Sequence, residues 1–161
     1  MPIKVLFICH GNICRSPMAE YAMKKIVEDK GIKDDFIIES AAISSEEVWN
    51  GIGNPIYPPA KNELKRRGIG NTPYTDFSGK RARQIQRSDY EKYDYILCAE
   101  GYHITAVNRI CGGDPEGKIM LMLEFSDRPR NIADPWYTGI FDVAYNDIEE
   151  SIYAFLKHLG Y

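Results

Sequence analysis

The sequence predicts an α/β domain in which a parallel β-sheet is covered by helices on both faces. Three observations carry this reading. Ile3 to Cys9 is an unbroken apolar and β-branched run apart from Lys4, the pattern of a strand buried on both sides. Ala19, Ala22, Met23, Ile26 and Val27 follow at helical spacing, with Glu20, Lys24, Lys25 and Glu28 on the other face. Short apolar runs and helical patterns then alternate to the carboxyl end, which implies right-handed crossovers and parallel strands.

Taken in order, the first helix is expected to start at Ser16, a good N-cap, followed by Pro17 at the first helical position, and to end at Gly31. The loop before it is Cys9 to Ser16. Phe36 to Ile43 reads as a second strand, and Pro59 to Gly68 as a basic, solvent-facing helix after a Gly/Pro/Asn-rich loop. Ala82 to Asp89 reads as a short helix. Asp94 to Ala99 and Lys118 to Leu123 read as strands, with a helix from about Glu100 to Arg109 between them. Phe141, Ala144, Tyr145, Ile148, Ile152, Phe155, Leu156 and Leu159 keep helical spacing and form a closing helix.

The 161 residues suffice for one hydrophobic core without disulfides or metals, and no repeat or linker divides them, so one domain over 1–161 is expected. A net charge of −3 supplies no general cationic field for nucleic acid or an anionic membrane. The longest apolar runs, Val5 to Cys9 and Ile119 to Leu123, are far shorter than the roughly 20 residues of a membrane span. Met1 to Cys9 does not read as a secretory signal, so the expected compartment is the cytoplasm and the expected state of Cys9, Cys14, Cys98 and Cys111 is the free thiol.

The chemistry concentrates in Cys9-His10-Gly11-Asn12-Ile13-Cys14-Arg15-Ser16. Ligands of parallel sheets bind beyond the carboxyl ends of the strands, where this loop lies. Curling a loop around an anion requires inward-pointing backbone N–H groups, and Gly11 and Asn12 most readily take the conformations needed. The following helix adds the positive end of its dipole. These features favour a thiolate at Cys9 and make it a competent nucleophile. The planar fork of Arg15 can hold two phosphoryl oxygens at once, and Ser16 is placed to hydrogen-bond the sulfur. Farther on, Asp134-Pro135-Trp136-Tyr137 offers a carboxyl to protonate a leaving oxygen and two rings to wall a slot for an aromatic phosphate.

With these residues in view, the sequence resembles the low-molecular-weight protein tyrosine phosphatases over nearly its whole length. The likeness runs from Val5-Leu6-Phe7-Ile8-Cys9 through Gly11-Asn12-Ile13-Cys14-Arg15-Ser16-Pro17, Glu39-Ser40-Ala41-Ala42, Gly53-Asn54-Pro55, Ala82-Arg83-Gln84-Ile85 and Tyr93 to Cys98, and ends at Asp134-Pro135-Trp136-Tyr137. The resemblance implies a four-stranded parallel sheet in a flavodoxin-like, doubly wound arrangement and a metal-free, cofactor-free hydrolysis in two steps. Cys9 would attack phosphorus while Asp134 protonates the tyrosine oxygen, and Asp134 would then activate the water that releases the phosphocysteine. Asn12 and Ser40 match positions that brace the loop, and Cys14 matches a second cysteine that can form a reversible disulfide with the nucleophile. Expected ligands are phosphotyrosine proteins or peptides, and phosphate or other oxyanions in the loop. Several positions depart from the family pattern: His10 replaces a small or apolar residue, Glu39 and Glu100 replace aspartates, and Lys80 replaces a histidine. The segment from Ser44 to Gly51 is longer than usual and brings Trp49 as a substrate-contacting aromatic.

Three rival readings share the loop. An arsenate reductase needs further cysteines close together, whereas Cys98 and Cys111 straddle a predicted helix. Phosphoarginine phosphatases carry threonine where this chain has Ile13. A phosphate carrier gains nothing from an acid such as Asp134. His103 and His158 lack partners at metal-ligand spacing, and Lys61, Lys65, Arg66 and Arg67 read as a solvated helix face.

Overall fold

Strand β1 (Ile3–Cys9) occupies the middle of the sheet because its side chains can be buried in both directions. The computed structural model, which describes residues 1–161, pairs it in parallel with β2 (Phe36–Ala42) on one side and β5 (Tyr95–Cys98) on the other. Strand β6 (Ile119–Leu121) completes a four-stranded sheet of order β2-β1-β5-β6. Alternate residues of β1 feed two cores. Val5, Phe7 and Cys9 face a cluster with α1 (Arg15–Asp29) and α6 (Phe141–His158), whereas Leu6 and Ile8 face Val107 and Cys111 of α4 (Gly101–Cys111). The sheet is thus doubly wound as expected. The strand order reverses beside β1, so the loops leaving β1 and β5 diverge and open a crevice between them, the usual ligand position in such sheets.

Several boundaries differ from the sequence reading for identifiable reasons. Helix α1 begins at Arg15 with Cys14 as its N-cap and no side-chain capping bond. Ser16 therefore lies inside the helix, where its hydroxyl is engaged by the loop instead of by the helix terminus. The segment 82–86 is not helical, and residues 87 and 88 form a turn. Its backbone is claimed by two neighbours: Ala42 N–H donates to Arg83 O and Ile85 N–H to Ala42 O, while Ala82 N–H donates to Asn54 O. A single turn, α3 (Asp89–Lys92), follows. The run after Lys118 leaves the sheet at Leu121 and becomes a 3₁₀ turn over Met122–Phe125.

An antiparallel hairpin absent from the sequence reading, β3 (Val48–Trp49) with β4 (Ile52–Gly53), stands over the carboxyl edge of the sheet. Asn50 and Gly51 form its turn, both with positive φ. Helix α2 (Pro58–Arg66) follows, and its basic face is anchored: Arg66 and Arg67 both bind the buried carboxylate of Glu63, and Arg67 lies over the Tyr145 ring. The short helix α5 (Pro135–Thr138) lies between the 3₁₀ turn and α6. No helix is long and apolar enough to cross a membrane.

Candidate active site

The loop between β1 and α1 closes on itself around the Cys9 sulfur. Asn12 makes the turn with φ of 61°, a left-handed conformation that asparagine tolerates better than most side chains. Its N–H donates to Cys9 Sγ at 3.3 Å, and Ser16 Oγ lies 2.9 Å from the same sulfur. Gly11 does not have positive φ. A Cβ there would come within 3.1 Å of Glu47 Cγ, so any larger residue would push the Glu47 side chain aside.

A directional chain of hydrogen bonds runs behind the loop. Glu20 is buried between Lys24 Nζ at 2.8 Å and Lys80 Nζ at 3.3 Å, so its carboxylate accepts. Ser40 Oγ donates to Glu20 Oε1 at 2.6 Å, and Asn12 Nδ2 donates to Ser40 Oγ at 3.0 Å and to Ser16 Oγ at 2.8 Å. The orientation of the Asn12 amide is fixed because its Oδ1 accepts the Arg83 N–H at 3.1 Å. Ser16 already accepts from Asn12, so its own hydrogen is directed at Cys9. Lys80 also donates to Ser40 O at 3.1 Å, which explains how a lysine serves at that position.

Arg15 is 1% exposed, the largest fully buried side chain in the molecule. A guanidinium so placed requires partners, because an unpaired buried charge costs several kcal/mol. Its Nη1 donates to Glu100 Oε2 and to Ile132 O, each at 2.7 Å, and its Nη2 lies 3.4 Å from Asp134 Oδ2. Burial opposes its charge, but Cys9, Glu100 and Asp134 together hold its pKa above the ordinary value. Glu100 also caps α4, where its N–H donates to His103 Nδ1 at 3.0 Å. The His103 proton is therefore on Nε2, which is buried without a partner, and burial with Arg15 nearby pushes its pKa down to about 3. Asp134 is the N-cap of α5: Oδ1 accepts the Trp136 N–H at 3.0 Å, which leaves Oδ2 toward Arg15.

Arg15 and Asp134 border one cavity of about 410 Å³. Cys9, Arg15 and Asp134 share it with Ile13 and Cys14 of the loop and with Trp136 and Tyr137. Trp49 does not line it; its ring is exposed on the β3–β4 hairpin. Glu46 and Glu47, which the sequence reading passed over, do line it, and Glu46 pairs with His10 Nε2 at 3.1 Å. Burial raises the pKa of Cys14, with Cys9 and Asp134 adding to the effect, so this second thiol is held protonated. Cys98 and Cys111 share the cluster on the other face of the sheet from Cys9. They are closer neighbours than their separation in sequence suggested, yet they lie across the sheet from Cys9.

The family model for low molecular weight phosphotyrosine protein phosphatase matches residues 4–161. The chain belongs to this family. It is 37% identical over 158 residues to the low molecular weight phosphotyrosine protein phosphatase of Rattus norvegicus, covering 95% of this chain and 93% of that one. The crystal structure of YfkJ from Bacillus subtilis superposes with a TM-score of 0.89 at 30% identity, over 99% of this chain and 96% of that one. The structure of a Drosophila arginine phosphatase superposes with a TM-score of 0.84 at 27% identity, covering 99% of both chains. As a low-molecular-weight phosphatase, this protein is a cysteine-dependent hydrolase whose loop is shaped for a tetrahedral oxyanion.

Proposed function

We propose that this phosphatase hydrolyses phosphotyrosine in proteins and peptides, with Cys9 as nucleophile, Arg15 as phosphoryl clamp and Asp134 as acid and then base. The carrying observation is that Cys9, Arg15 and Asp134 border one cavity beside the rings of Trp136 and Tyr137. In the first step Cys9 Sγ forms a bond to phosphorus, the bond to the tyrosine oxygen breaks, and Asp134 Oδ2 gives its proton to that oxygen. In the second step Asp134 takes a proton from water, the water oxygen attacks phosphorus, and the sulfur departs as a thiolate that accepts the Ser16 hydroxyl hydrogen. Arg15 and the inward loop amides carry the equatorial charge in both steps.

The aliphatic side chain of Ile13 on the cavity wall supports an aryl phosphate over phosphoarginine, because it offers no hydroxyl to a guanidinium. An arsenate relay is disfavoured by the sheet between Cys9 and the Cys98–Cys111 pair. Cys14 is assigned the role of reversible disulfide partner for an oxidised Cys9. The four free thiols, one of which must stay reduced to act, fit a cytoplasmic site of action.

The test is phosphate release from matched phosphotyrosine and phosphoarginine peptides in the presence of chelator. Phosphotyrosine turnover should vanish in Cys9→Ser and fall by roughly 10² or more in Asp134→Ala. A preference for phosphoarginine would keep the mechanism and overturn the substrate.

A further inference from the structure

We propose that the cavity mouth selects phosphotyrosine next to an arginine or lysine, and that Glu47, assisted by Glu46, sets this preference. The inference rests on the phosphotyrosine reading above and adds the sequence context of the substrate.

Glu46 and Glu47 are held in place over the phosphate loop. The Ser44 N–H donates to His10 O at 3.1 Å, the Glu46 N–H to Ser44 Oγ at 3.0 Å, and the Asn54 N–H to Glu47 O at 2.8 Å. The stem of Glu47 packs in the space left by Gly11. Its carboxylate accepts only from the neutral Asn54 amide, at 2.9 Å, and no cation pairs with it. Two carboxylates at the entrance of a cavity built for a dianion repel a bare phosphate ester. Arg15, already held by Glu100, serves the phosphoryl group and does not neutralise the rim. A cation carried by the substrate beside its phosphotyrosine removes that repulsion and gains an attraction.

The wall behind Glu47 gives such a side chain somewhere to lie. A groove of about 270 Å³ shares Ile13, Glu47 and Trp136 with the main cavity and continues past Tyr57 and Pro55. The rings of Tyr57 and Trp136 are 4.6 Å apart, a surface suited to the methylene stem and the cationic head of arginine. Lys61 borders the same groove and penalises a cation held away from Glu47, which confines the preference to residues close to the phosphotyrosine.

The experiment uses three phosphotyrosine peptides that differ only in flanking arginine, alanine or glutamate. Each kcat/KM is expressed relative to the same variant's rate on p-nitrophenyl phosphate. Wild type should favour the arginine peptide over the alanine peptide by roughly two- to fivefold at low salt, and the ratio should shrink as salt rises. The ratio should approach one in the Glu46→Gln, Glu47→Gln double variant. Equal rates on all three peptides in wild type, or a preference that survives the double substitution, overturns the inference while leaving the phosphotyrosine reading intact. Failure of wild type to hydrolyse p-nitrophenyl phosphate or any of the peptides overturns both.

Discussion

Arg15 Nη1 lies 2.7 Å from Glu100 Oε2, so the residue that opens α1 and the residue that caps α4 meet across the crevice beside β1. Glu100 thereby fixes the plane of the guanidinium and leaves its other edge toward the cavity. Glu100→Ala is expected to lower kcat on an aryl phosphate by roughly 10²-fold, the scale of a misplaced reacting group. Glu100→Gln, which keeps an acceptor, should lose less, about tenfold or under. Steady-state kinetics of the two variants check this, and equal losses would count against a positioning role.

The chain from Glu20 to Cys9 carries a polarity as well as a set of contacts. Glu20→Gln lets an amide donate toward Ser40, so the serine hydroxyl is no longer compelled to accept from Asn12. Alkylation of Cys9 by iodoacetamide near pH 6 should slow by roughly tenfold, the worth of one charge-assisted hydrogen bond. Lys80→Gln should give a smaller effect in the same direction. An unchanged alkylation rate in Glu20→Gln would mean that Ser16 donates to sulfur whatever lies behind it.

His103 gives stability a defined dependence on pH. Its folded pKa, about 3, lies below the ordinary 6.5, so the unfolded chain binds the proton first as pH falls. Its contribution is intact above about pH 6.5 and is lost progressively toward pH 3. Between pH 7 and pH 4.5 the loss should be roughly 2–3 kcal/mol from this group. Urea denaturation at the two pH values, compared between wild type and His103→Asn, isolates that contribution, and identical losses in both proteins would contradict it.

Gly53 sets how closely the hairpin approaches the loop's support. A Cβ there would fall 1.8 Å from Ala82 O, in the segment whose Arg83 N–H fixes the Asn12 amide. Gly53→Ala should destabilise the fold by about 1–3 kcal/mol. A fall in Tm of roughly 3–9 °C is the corresponding shift for a chain of this size. Calorimetry would reveal it, and an unchanged Tm would show that the hairpin yields freely.

The loop that carries Cys9 and Arg15 was legible in the sequence because strand, loop and helix start are contiguous there and each carries a local signature. Among the supports, Asn12, Ser16 and Ser40 were legible as well, but the groups behind them were not. Glu20 sits among Lys24, Lys25 and Glu28 in the helical pattern and reads as part of a solvated face, yet it is 4% exposed because Ser40 and Lys80 meet it from other elements. Ala82 to Ile85 has local helix-forming character, which the backbone bonds to Ala42 and Asn54 override. The sequence presents Ser16 both as a cap and as a partner of the sulfur, and the folded loop keeps only the second role. Glu46 and Glu47 carry no motif, and their place at the cavity follows from the hairpin they precede.

The two oxygens of Asp134 are held to different tasks, since Oδ1 is tied to the Trp136 N–H and Oδ2 alone faces Arg15. A half turn of the carboxylate only exchanges two equivalent oxygens, so whichever oxygen caps α5, the other faces Arg15. In the proposed mechanism the transferred hydrogen therefore has a single position, on whichever oxygen faces Arg15, and each proton leaves from and returns to that side of the carboxyl. A glutamate at this position, however well it reached the leaving oxygen, would have to give up either the cap or that constancy.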